Sequence, residues 1–337
     1  MLTFRSRAPV RISFAGGGTD VSPYPQERSG CVLSATISKY SFTSLKLLDS
    51  RMVKISSHGT QRAVVLSCVE EAVLDGEFDL AKTVLMEFSP QRGIDLFFRN
   101  DVPPRSGLGS SAAGFVSLIG AFDAAFGHRL TKHEIAELAF KIERERLKVR
   151  GGKQDQFASA YGGINFMEFN ANGVEVKSLC IGRGTLNELE KNLVLVFTKE
   201  REKHGTDIIE DQTDSFRSGS STVGGALDAA KQTAIEMKGC LLKGDLERFG
   251  QLLHKGWEEK KKYSTHITTP FIDGLYDAAR KEGAIGGKIT GAGGGGYMIF
   301  YCEPDREIAV RERLTQLGAI PVPFSFEFNG LESWKVE

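Results

Sequence analysis

The first hundred residues place apolar side chains in short runs rather than at helical spacing. Each run is four to seven residues long and is bounded by polar residues, glycine or proline, a pattern typical of β-strands. These predicted strands lie at residues 32–37, 42–48, 63–66 and 94–98. The N-terminal part of the chain is therefore expected to form a sheet.

The spacing of apolar residues changes to that of an α-helix from Ala112 onward. Apolar residues recur three or four positions apart as far as Phe122, and Gly127 is a typical helix end. Thr131 and Glu134 form a capping-box pattern that predicts the start of a second helix. The same periodicity predicts further helices at residues 226–242, 246–257 and 271–281.

The remaining segments complete the pattern. Leu193–Phe197 is predicted as a strand, residues 211–225 are polar and rich in glycine and serine and are predicted as a loop or lid, and residues 322–328 alternate like an edge strand. Strands and helices are mixed without regular alternation, which favours an α+β fold over a doubly wound sheet. Two domains are predicted, at residues 1–180 and 181–337, and we leave open that the last strand returns to the first domain.

Composition narrows the classes of partner. Lysine plus arginine and aspartate plus glutamate number 43 each among 337 residues, so no overall field attracts nucleic acid or an anionic membrane. The five cysteines are scattered and form no C-x-x-C pair, which indicates a reducing compartment. Neither a signal-peptide pattern nor a run of ~18 apolar residues occurs, so a cytoplasmic protein is expected. The oligomeric state, monomer or dimer, stays open.

Glycine accounts for 38 residues, many of which are gathered in four short clusters, at residues 16–18, 107–109, 151–152 and 291–296. Because glycine costs backbone entropy, such clusters indicate unusual dihedrals or the close approach of a ligand. One cluster lies in the segment P-P-R-S-G-L-G-S-S-A-A, residues 103–113, at a predicted helix start. Backbone N–H groups and the helix dipole at such a turn bind polyphosphates, and its two serines can cap the helix or bind Mg²⁺. A serine-capped loop without a ligand is the alternative.

Other patterns argue against competing functions. The glycine segment is not a Walker A loop, and the H-R-D and D-F-G elements of protein kinases are absent. Residues 291–296 match G-x-G-x-x-G, but a dinucleotide site needs a helix directly afterwards, whereas residues 297–302 are aromatic and β-prone. The six histidines show no H-x-x-x-H spacing, which argues against a zinc hydrolase.

The segment at residues 103–113 closely resembles the phosphate loop of the galactokinase, homoserine kinase, mevalonate kinase and phosphomevalonate kinase (GHMP) superfamily. Residues 8–20, A-P-V-R-I-S-F-A-G-G-G-T-D, are similar to the galactokinase segment P-G-R-V-N-L-x-G-E-H-T-D, and residues 288–296, K-I-T-G-A-G-G-G-G, look like the third family motif. The resemblance implies an N-terminal domain like domain 2 of ribosomal protein S5 and a ferredoxin-like C-terminal domain. ATP and a small-molecule substrate are expected between them.

The resemblance also implies catalytic and metal-binding roles. Arg11 falls on the basic residue near the transferred phosphoryl group, and Asp155, in the segment G-G-K-Q-D-Q-F, falls on the catalytic aspartate. Mg²⁺ is expected on Ser111 and on Glu143, which stands twelve residues before Asp155. A turn-capping aspartate and a solvated helix glutamate are the ordinary alternatives for Asp155 and Glu143.

The sequence does not decide between Ser110 and Ser111 as the metal ligand, and Glu145 is the second choice after Glu143.

The same motifs imply two larger sets of binding residues. The residues implied to bind the nucleotide are Pro104, Ser106, Gly107, Leu108, Gly109, Ser110, Ser111 and Ala112. The residues implied to bind the substrate are Gly17, Gly18, Thr19, Asp20, Gly291, Ala292 and Gly293.

Residues 15–20, 151–156 and 162–169 look most like those of bacterial D-glycero-D-manno-heptose 7-phosphate kinases. The resemblance implies ATP-dependent phosphorylation of the anomeric oxygen of this sugar phosphate, giving the 1,7-bisphosphate for GDP-heptose synthesis. An L-fucose or galactose 1-kinase and a nucleotide-binding sensor without catalysis are the alternatives.

The glycines at residues 16–18 occupy the place of G-E-H in galactokinases. Loss of the glutamate removes a negative charge and bulk near the far end of the sugar, which suits a longer, phosphorylated substrate. A substrate phosphate also needs cationic partners. The candidates by position or charge are Arg105, Lys153, Arg201 and Lys203, with His204 in the same charged stretch.

Overall fold

A computed structural model describes residues 2–58, 62–104, 106–200 and 205–337 of the chain. Arg105, Arg201, Lys203 and His204 lie outside the described residues. The strands of the described residues are β1 (Thr3–Ala15), β2 (Gly30–Leu47), β3 (Val53–Ser57), β4 (Ala63–Leu66), β5 (Ile94–Asn100), β6 (Ile164–Asn170), β7 (Gly173–Ser178), β8 (Leu193–Phe197), β9 (Ala284–Ile289), β10 (Tyr297–Cys302), β11 (Ile320–Pro321) and β12 (Glu332–Lys335).

Helices connect and cover these strands. They are α1 (Tyr24–Arg28), α2 (Asp79–Phe88), α3 (Ser110–Phe126), α4 (Lys132–Glu145), α5 (Gln154–Tyr161), α6 (Arg183–Asn192), α7 (Gly205–Arg217), α8 (Ser221–Lys243), α9 (Leu246–Lys260), α10 (Pro270–Lys281) and α11 (Glu307–Gln316), with a 3₁₀ turn at Val69–Glu71. The mixed α+β fold expected from the sequence is confirmed.

The first sheet has eight strands and is organised around the long strand β2. One edge of β2 pairs antiparallel with β1, and its other edge pairs with β6 in its first half and with β5 in its second half. The strands predicted at 32–37 and 42–48 are thus one continuous strand. The pairing register shifts between Pro9 and Val10, where β2 contains two extra residues. Such an irregularity accommodates a proline, which has no N–H for the ladder.

The second sheet has four antiparallel strands in the order β11, β8, β10, β9. Its central strand β10 is buried along its whole length, and Trp257 and Phe300 belong to the core on this side of the molecule. β10 directly follows the last glycine cluster, so a strand stands where a dinucleotide fold would need a helix.

Two predicted segments are wrong. Residues 211–225 are not a loop, because α7 extends to Arg217 and α8 begins at Ser221. Ile208, Gln212 and Phe216 recur every four residues on the buried face of α7, and this spacing outweighs the polar composition. Ser220 caps α8 by accepting a hydrogen bond from the backbone N–H of Val223.

Residues 322–328 do not form the predicted edge strand. Within this segment only Phe326 forms a bridge, an isolated one to Ile37, and Pro323 has no N–H to donate to a ladder. At one edge of the first sheet, β12 pairs antiparallel with β1, so the C-terminal strand lies on that sheet. The division at residue 180 stays a prediction.

Candidate active site

A cleft of about 510 Å³ lies between the end of β1, the start of α3, the start of α5 and the turn that follows β9. Segments from three distant parts of the chain meet there. The predicted site residues that line it are Arg11, Gly17, Gly18, Asp20, Pro104, Ser106, Gly107, Gly109, Ser110, Ser111, Ala112, Glu143, Asp155, Gly291 and Ala292.

Three predicted site residues do not line the cleft. Leu108 is fully buried in the first core and anchors the glycine loop. Thr19 is fully buried, and its hydroxyl donates to the Gly16 carbonyl at 2.8 Å and accepts from the backbone N–H of Cys31 at 3.0 Å. A Cβ on Gly293 would lie 2.9 Å from the backbone of Ile267. These three residues therefore support the conformation of the binding loops through contacts with the protein interior.

The glycine loop leads into α3 without a side-chain cap among the described residues. Gly109 is the N-cap residue, with φ of 75°, in the left-handed region that favours glycine. The expected serine cap is therefore wrong, since Ser110 and Ser111 already lie in the first helical turn. An uncapped N-terminus leaves backbone N–H groups and the positive end of the helix dipole available to an anion.

The loop carbonyls are bonded on the protein side. The Gly107 carbonyl accepts from Nη1 of Arg11 at 2.7 Å and from the hydroxyl of Thr290 at 3.1 Å. The Leu108 carbonyl accepts from the backbone N–H of Arg11 at 2.9 Å, and that of Ser106 accepts from the N–H of Tyr297 at 3.1 Å. Both sheets thus hold the loop in place.

Buried hydroxyls complete this part of the site. The side-chain oxygens of Ser106 and Ser110 are buried and have no hydrogen-bond partner within the described part of the chain. A buried hydroxyl without a partner is costly, and a phosphate oxygen would satisfy it. The donors of the glycine loop therefore fit the phosphates of a nucleotide.

Asp155 lies in the first turn of α5 and forms an ion pair with Arg11. Nε and Nη2 of Arg11 lie 2.8 and 2.7 Å from the same carboxylate oxygen, Oδ1. A Cβ on Gly109 would lie 3.2 Å from Oδ2 of Asp155, a tight contact that glycine avoids. A carboxylate and a guanidinium thus lie together beside the glycine loop, and these are group types that phosphoryl transfer uses as proton acceptor and positive charge.

Glu143, at the end of α4, is buried next to the start of α3. Its Oε1 accepts from the hydroxyl of Ser111 at 3.0 Å, and its Oε2 accepts from Nε2 of Gln156 at 2.6 Å. Burial raises the pKa of the Glu143 carboxyl, while the nearby positive charge of Arg144 opposes this shift. Glu145, the reserve candidate, is exposed and does not line the cleft.

Asp20 connects the N-terminal glycine turn to α5. Its Oδ2 accepts from the backbone N–H of Gln154 at 3.1 Å, and its Oδ1 accepts from the N–H of Gly18 at 3.1 Å. A Cβ on Gly152 would lie only 1.8 Å from Oδ2, which explains the glycine there. Burial raises the pKa of Asp20, the backbone N–H of Gln154 lowers it, and the negative charge of Asp155 raises it.

Of the four cations expected to bind a substrate phosphate, only Lys153 lies among the described residues. Lys153 lies outside the cleft and pairs with Glu137 at 3.0 Å. Sequence reasoning instead missed two lysines that do line the cleft, Lys260 and Lys288. The sequence indicated Lys288 only as the first residue of the third motif. It did not single out Lys260, which is one of several lysines at the end of α9.

The residues that the structure describes contain neither a preformed metal cluster nor a membrane-spanning helix. No group of three or more histidine, cysteine, aspartate or glutamate side chains is arranged to hold a metal ion. In the same described ranges, no helix is long and apolar enough to cross a membrane.

An uncapped glycine loop beside an arginine–aspartate pair, on this two-sheet fold, defines a small-molecule phosphotransferase. The sequence profile for the GHMP kinases N terminal domain matches residues 77–163, and that for the GHMP kinases C terminal domain matches residues 237–320. The chain is 35% identical over 342 residues to a D-glycero-alpha-D-manno-heptose 7-phosphate kinase of Campylobacter jejuni subsp. jejuni serotype O:2, covering 100% of both.

Two further relatives extend the comparison. The crystal structure of a D-glycero-D-manno-heptose 1-phosphate kinase from Bacteroides thetaiotaomicron has a TM-score of 0.83 and 34% identity, covering 99% of each chain. An L-fucokinase/L-fucose-1-P guanylyltransferase of Bacteroides fragilis is 25% identical over 94% of this chain, which spans 36% of that relative.

The chain therefore belongs to the GHMP kinase superfamily, as its three motifs indicated. It is homologous to sugar kinases, which transfer a phosphoryl group to an alcohol, and GHMP kinases take that group from ATP.

Proposed function

We propose that this protein transfers the γ-phosphoryl group of ATP to the anomeric oxygen of D-glycero-D-manno-heptose 7-phosphate, giving the 1,7-bisphosphate and ADP. The observation that carries the proposal is the position of Asp155. Its carboxylate lies beside Gly109 of the phosphate loop, so an acceptor hydroxyl at Asp155 would face a phosphate held by that loop. The full-length similarity to a heptose 7-phosphate kinase supports the choice of acceptor.

The proposed reaction uses the residues at the cleft as follows. The anomeric hydroxyl attacks the γ-phosphorus and forms the new O–P bond, while the bond from that phosphorus to the bridging oxygen of ADP breaks. Asp155 receives the hydroxyl proton. Arg11 keeps the carboxylate in position and contributes positive charge where the transferring group becomes negative. Asp20 lines the cleft wall and is proposed to accept hydrogen bonds from sugar hydroxyls.

Ser111 and Glu143 are the residues proposed to hold Mg²⁺. Mg²⁺ prefers one or two protein oxygens together with nucleotide phosphates and water. The hydroxyl of Ser111 and Oε1 of Glu143 lie 3.0 Å apart at the start of α3, and they supply this donor set. Burial of Glu143, which raises its pKa, makes a cation beside it favourable. When bound, the ion neutralises phosphate charge during transfer.

The reaction is proposed to take place in the cytoplasm, where ATP is available. The five cysteines are free thiols in the structure, which agrees with a reducing compartment. The partners proposed are small molecules, and the oligomeric state stays open between monomer and dimer.

Turnover with a panel of acceptors tests the proposed substrate. ADP release with Mg-ATP would be measured for D-glycero-D-manno-heptose 7-phosphate, its 1-phosphate isomer, mannose 6-phosphate, galactose, L-fucose and mevalonate. Phosphorus NMR of the product would identify the oxygen that was phosphorylated. We expect selective turnover of the 7-phosphate with a new anomeric phosphate. Selective turnover of the 1-phosphate, or of L-fucose or galactose, would overturn the proposed acceptor.

A further inference from the structure

Two lysines of the cleft have no part in the proposed reaction. Lys260 ends α9, and Lys288 lies in β9, next to the third glycine motif. Their exposed fractions are 9% and 5%, and both side chains line the cleft. A lysine as well buried as Lys288 is rare unless an opposite charge is present.

The surroundings of Lys288 contain neutral oxygens instead of a carboxylate. Its Nζ donates to the backbone carbonyls of Ser13 at 2.7 Å and Ile289 at 2.9 Å. No carboxylate within the described ranges forms an ion pair with it. An ammonium group has three N–H donors, so one remains for a further acceptor. Burial, and then the positive charges of Lys260 and Arg11, lower the pKa of Lys288 well below its ordinary value.

The residues around these lysines have small side chains and include one further hydrogen-bond donor. The hydroxyl of Ser13 is buried without a hydrogen-bond partner among the described residues. It lies 3.3 Å from the position that a Cβ on Gly17 would occupy. The wall near Lys260 is built from residues with small side chains or none, which include Ala230, Thr233 and Gly256.

The position of this region relative to the reacting atoms matches a sugar phosphate. Ser13 and Arg11 are two residues apart on β1. Arg11 donates a hydrogen bond to the carbonyl of Thr290, and Thr290 follows Lys288 by two residues. Two residues along a strand span roughly 7 Å, with side chains on the same face. The phosphate of a sugar phosphate would thus reach Lys288 while its anomeric oxygen lies at Asp155.

We propose that Lys288 and Lys260, together with the hydroxyl of Ser13, form an anion subsite that holds the phosphate group of the acceptor and selects phosphorylated over neutral sugars. The inference rests on the proposed function for the identity of the sugar. The ionic partner that Lys288 lacks in the protein is supplied by the substrate, and a phosphate dianion there offsets the cost of burying the lysine.

Paired acceptors test the subsite. Lys288→Met and Lys260→Met would be compared with wild type on D-glycero-D-manno-heptose 7-phosphate and on the same heptose without phosphate. We expect KM for the 7-phosphate to rise at least about tenfold in each variant, with KM for the neutral heptose and for ATP changed by less than about threefold. Lys262→Met is the matched control, because Lys262 is exposed two residues beyond Lys260 and pairs with Glu259.

Equal losses on both heptoses would show that the lysines support the fold of the cleft and would overturn the subsite. Lys288→Arg keeps the charge if the methionine variant is unstable, and it is expected to retain preference for the 7-phosphate.

Direct binding separates this proposal from the choice of sugar. Calorimetry with inorganic phosphate would be performed on protein saturated with a non-hydrolysable ATP analogue, which occupies the phosphate loop. Binding to wild type that is lost in both methionine variants would support the subsite even if the heptose is not turned over. Phosphate binding that the variants retain, or no binding to wild type, would overturn it.

Discussion

Arg11 holds Asp155 by one oxygen only. Nε and Nη2 of the guanidinium both lie within 2.8 Å of Oδ1. Oδ2 lies next to Gly109, 3.2 Å from the position that a Cβ there would occupy. The same guanidinium donates to the carbonyl of Gly107 in the phosphate loop. One buried side chain therefore contacts both the carboxylate proposed to receive the acceptor hydroxyl and the loop proposed to bind the ATP phosphates.

Asp155→Asn is predicted to abolish turnover while leaving ATP binding intact. Asparagine keeps the shape of the side chain but cannot accept the hydroxyl proton, and general-base groups contribute roughly 100-fold or more to rate. We expect kcat to fall at least about 100-fold, measured by ADP release, with the Kd for ATP changed by less than about threefold. Asp277→Asn, at an exposed position of α10, is the control and should match wild type. Unchanged turnover in Asp155→Asn would exclude Asp155 as the base.

Gly109→Ala is predicted to lower both stability and rate. An alanine at φ of 75° costs about 1–2 kcal/mol, and its Cβ would lie 3.2 Å from Asp155. Gly127→Ala is a matched control, because Gly127 ends the same helix with φ of 72° and has open space around it. We expect both variants to lower Tm by a similar amount and only Gly109→Ala to lower kcat. A similar kcat in the two variants would mean that Asp155 tolerates the added methyl group.

Helix starts and apolar strands were predictable because local chemistry determines them. Thr131 and Glu134 form the full capping box expected from their spacing, and β4 and β8 have the predicted bounds. The C-terminal half of α7 was predicted as a loop because serine, glycine and charged residues surround residue 218. The four-residue spacing of its apolar residues was nevertheless present in the sequence. The edge strand β12 could not be found, because its pairing with β1 joins opposite ends of the chain.

The site shows the same division between local and distant information. The glycine motifs were recognisable one by one, yet the sequence could not show that Asp20 bonds to the first residue of α5 or that Lys288 reaches Ser13. Both contacts join segments more than a hundred residues apart. The backbone role of Thr19 was also hidden, because a threonine in a glycine turn has the same sequence signal whether it faces the ligand or the core.

The two serines at the start of α3 are predicted to differ in their effect on Mg²⁺. The hydroxyl of Ser111 already contacts Glu143, whereas that of Ser110 is buried without a hydrogen-bond partner among the described residues. Ser111→Ala should raise the free Mg²⁺ needed for half-maximal activity roughly tenfold, as loss of a metal-site oxygen does. Ser110→Ala should instead raise KM for ATP, with the Mg²⁺ requirement little changed. Titration of activity with Mg²⁺ at fixed ATP measures both, and a reversed pattern would assign the metal to Ser110.

Gly17→Glu is predicted to discriminate against phosphorylated sugars. Gly17 lines the cleft, and a Cβ there would lie 3.3 Å from the Ser13 hydroxyl and 3.5 Å from Nε2 of Gln154, so the Cβ is accommodated with small shifts. A carboxylate at this position repels a sugar phosphate through like charge, while a neutral sugar meets only the added bulk.

Gly17→Gln separates charge from size in this position. We expect Gly17→Glu to raise KM for D-glycero-D-manno-heptose 7-phosphate at least about tenfold more than Gly17→Gln does. A charge repulsion of about 1.4 kcal/mol is enough for this, because that free energy corresponds to a tenfold change in binding. For the neutral heptose, the two variants should give similar KM values. The same KM increase on both sugars would show that the glycines at 16–18 provide room alone, and selection for the phosphate would then depend on the lysines of the cleft.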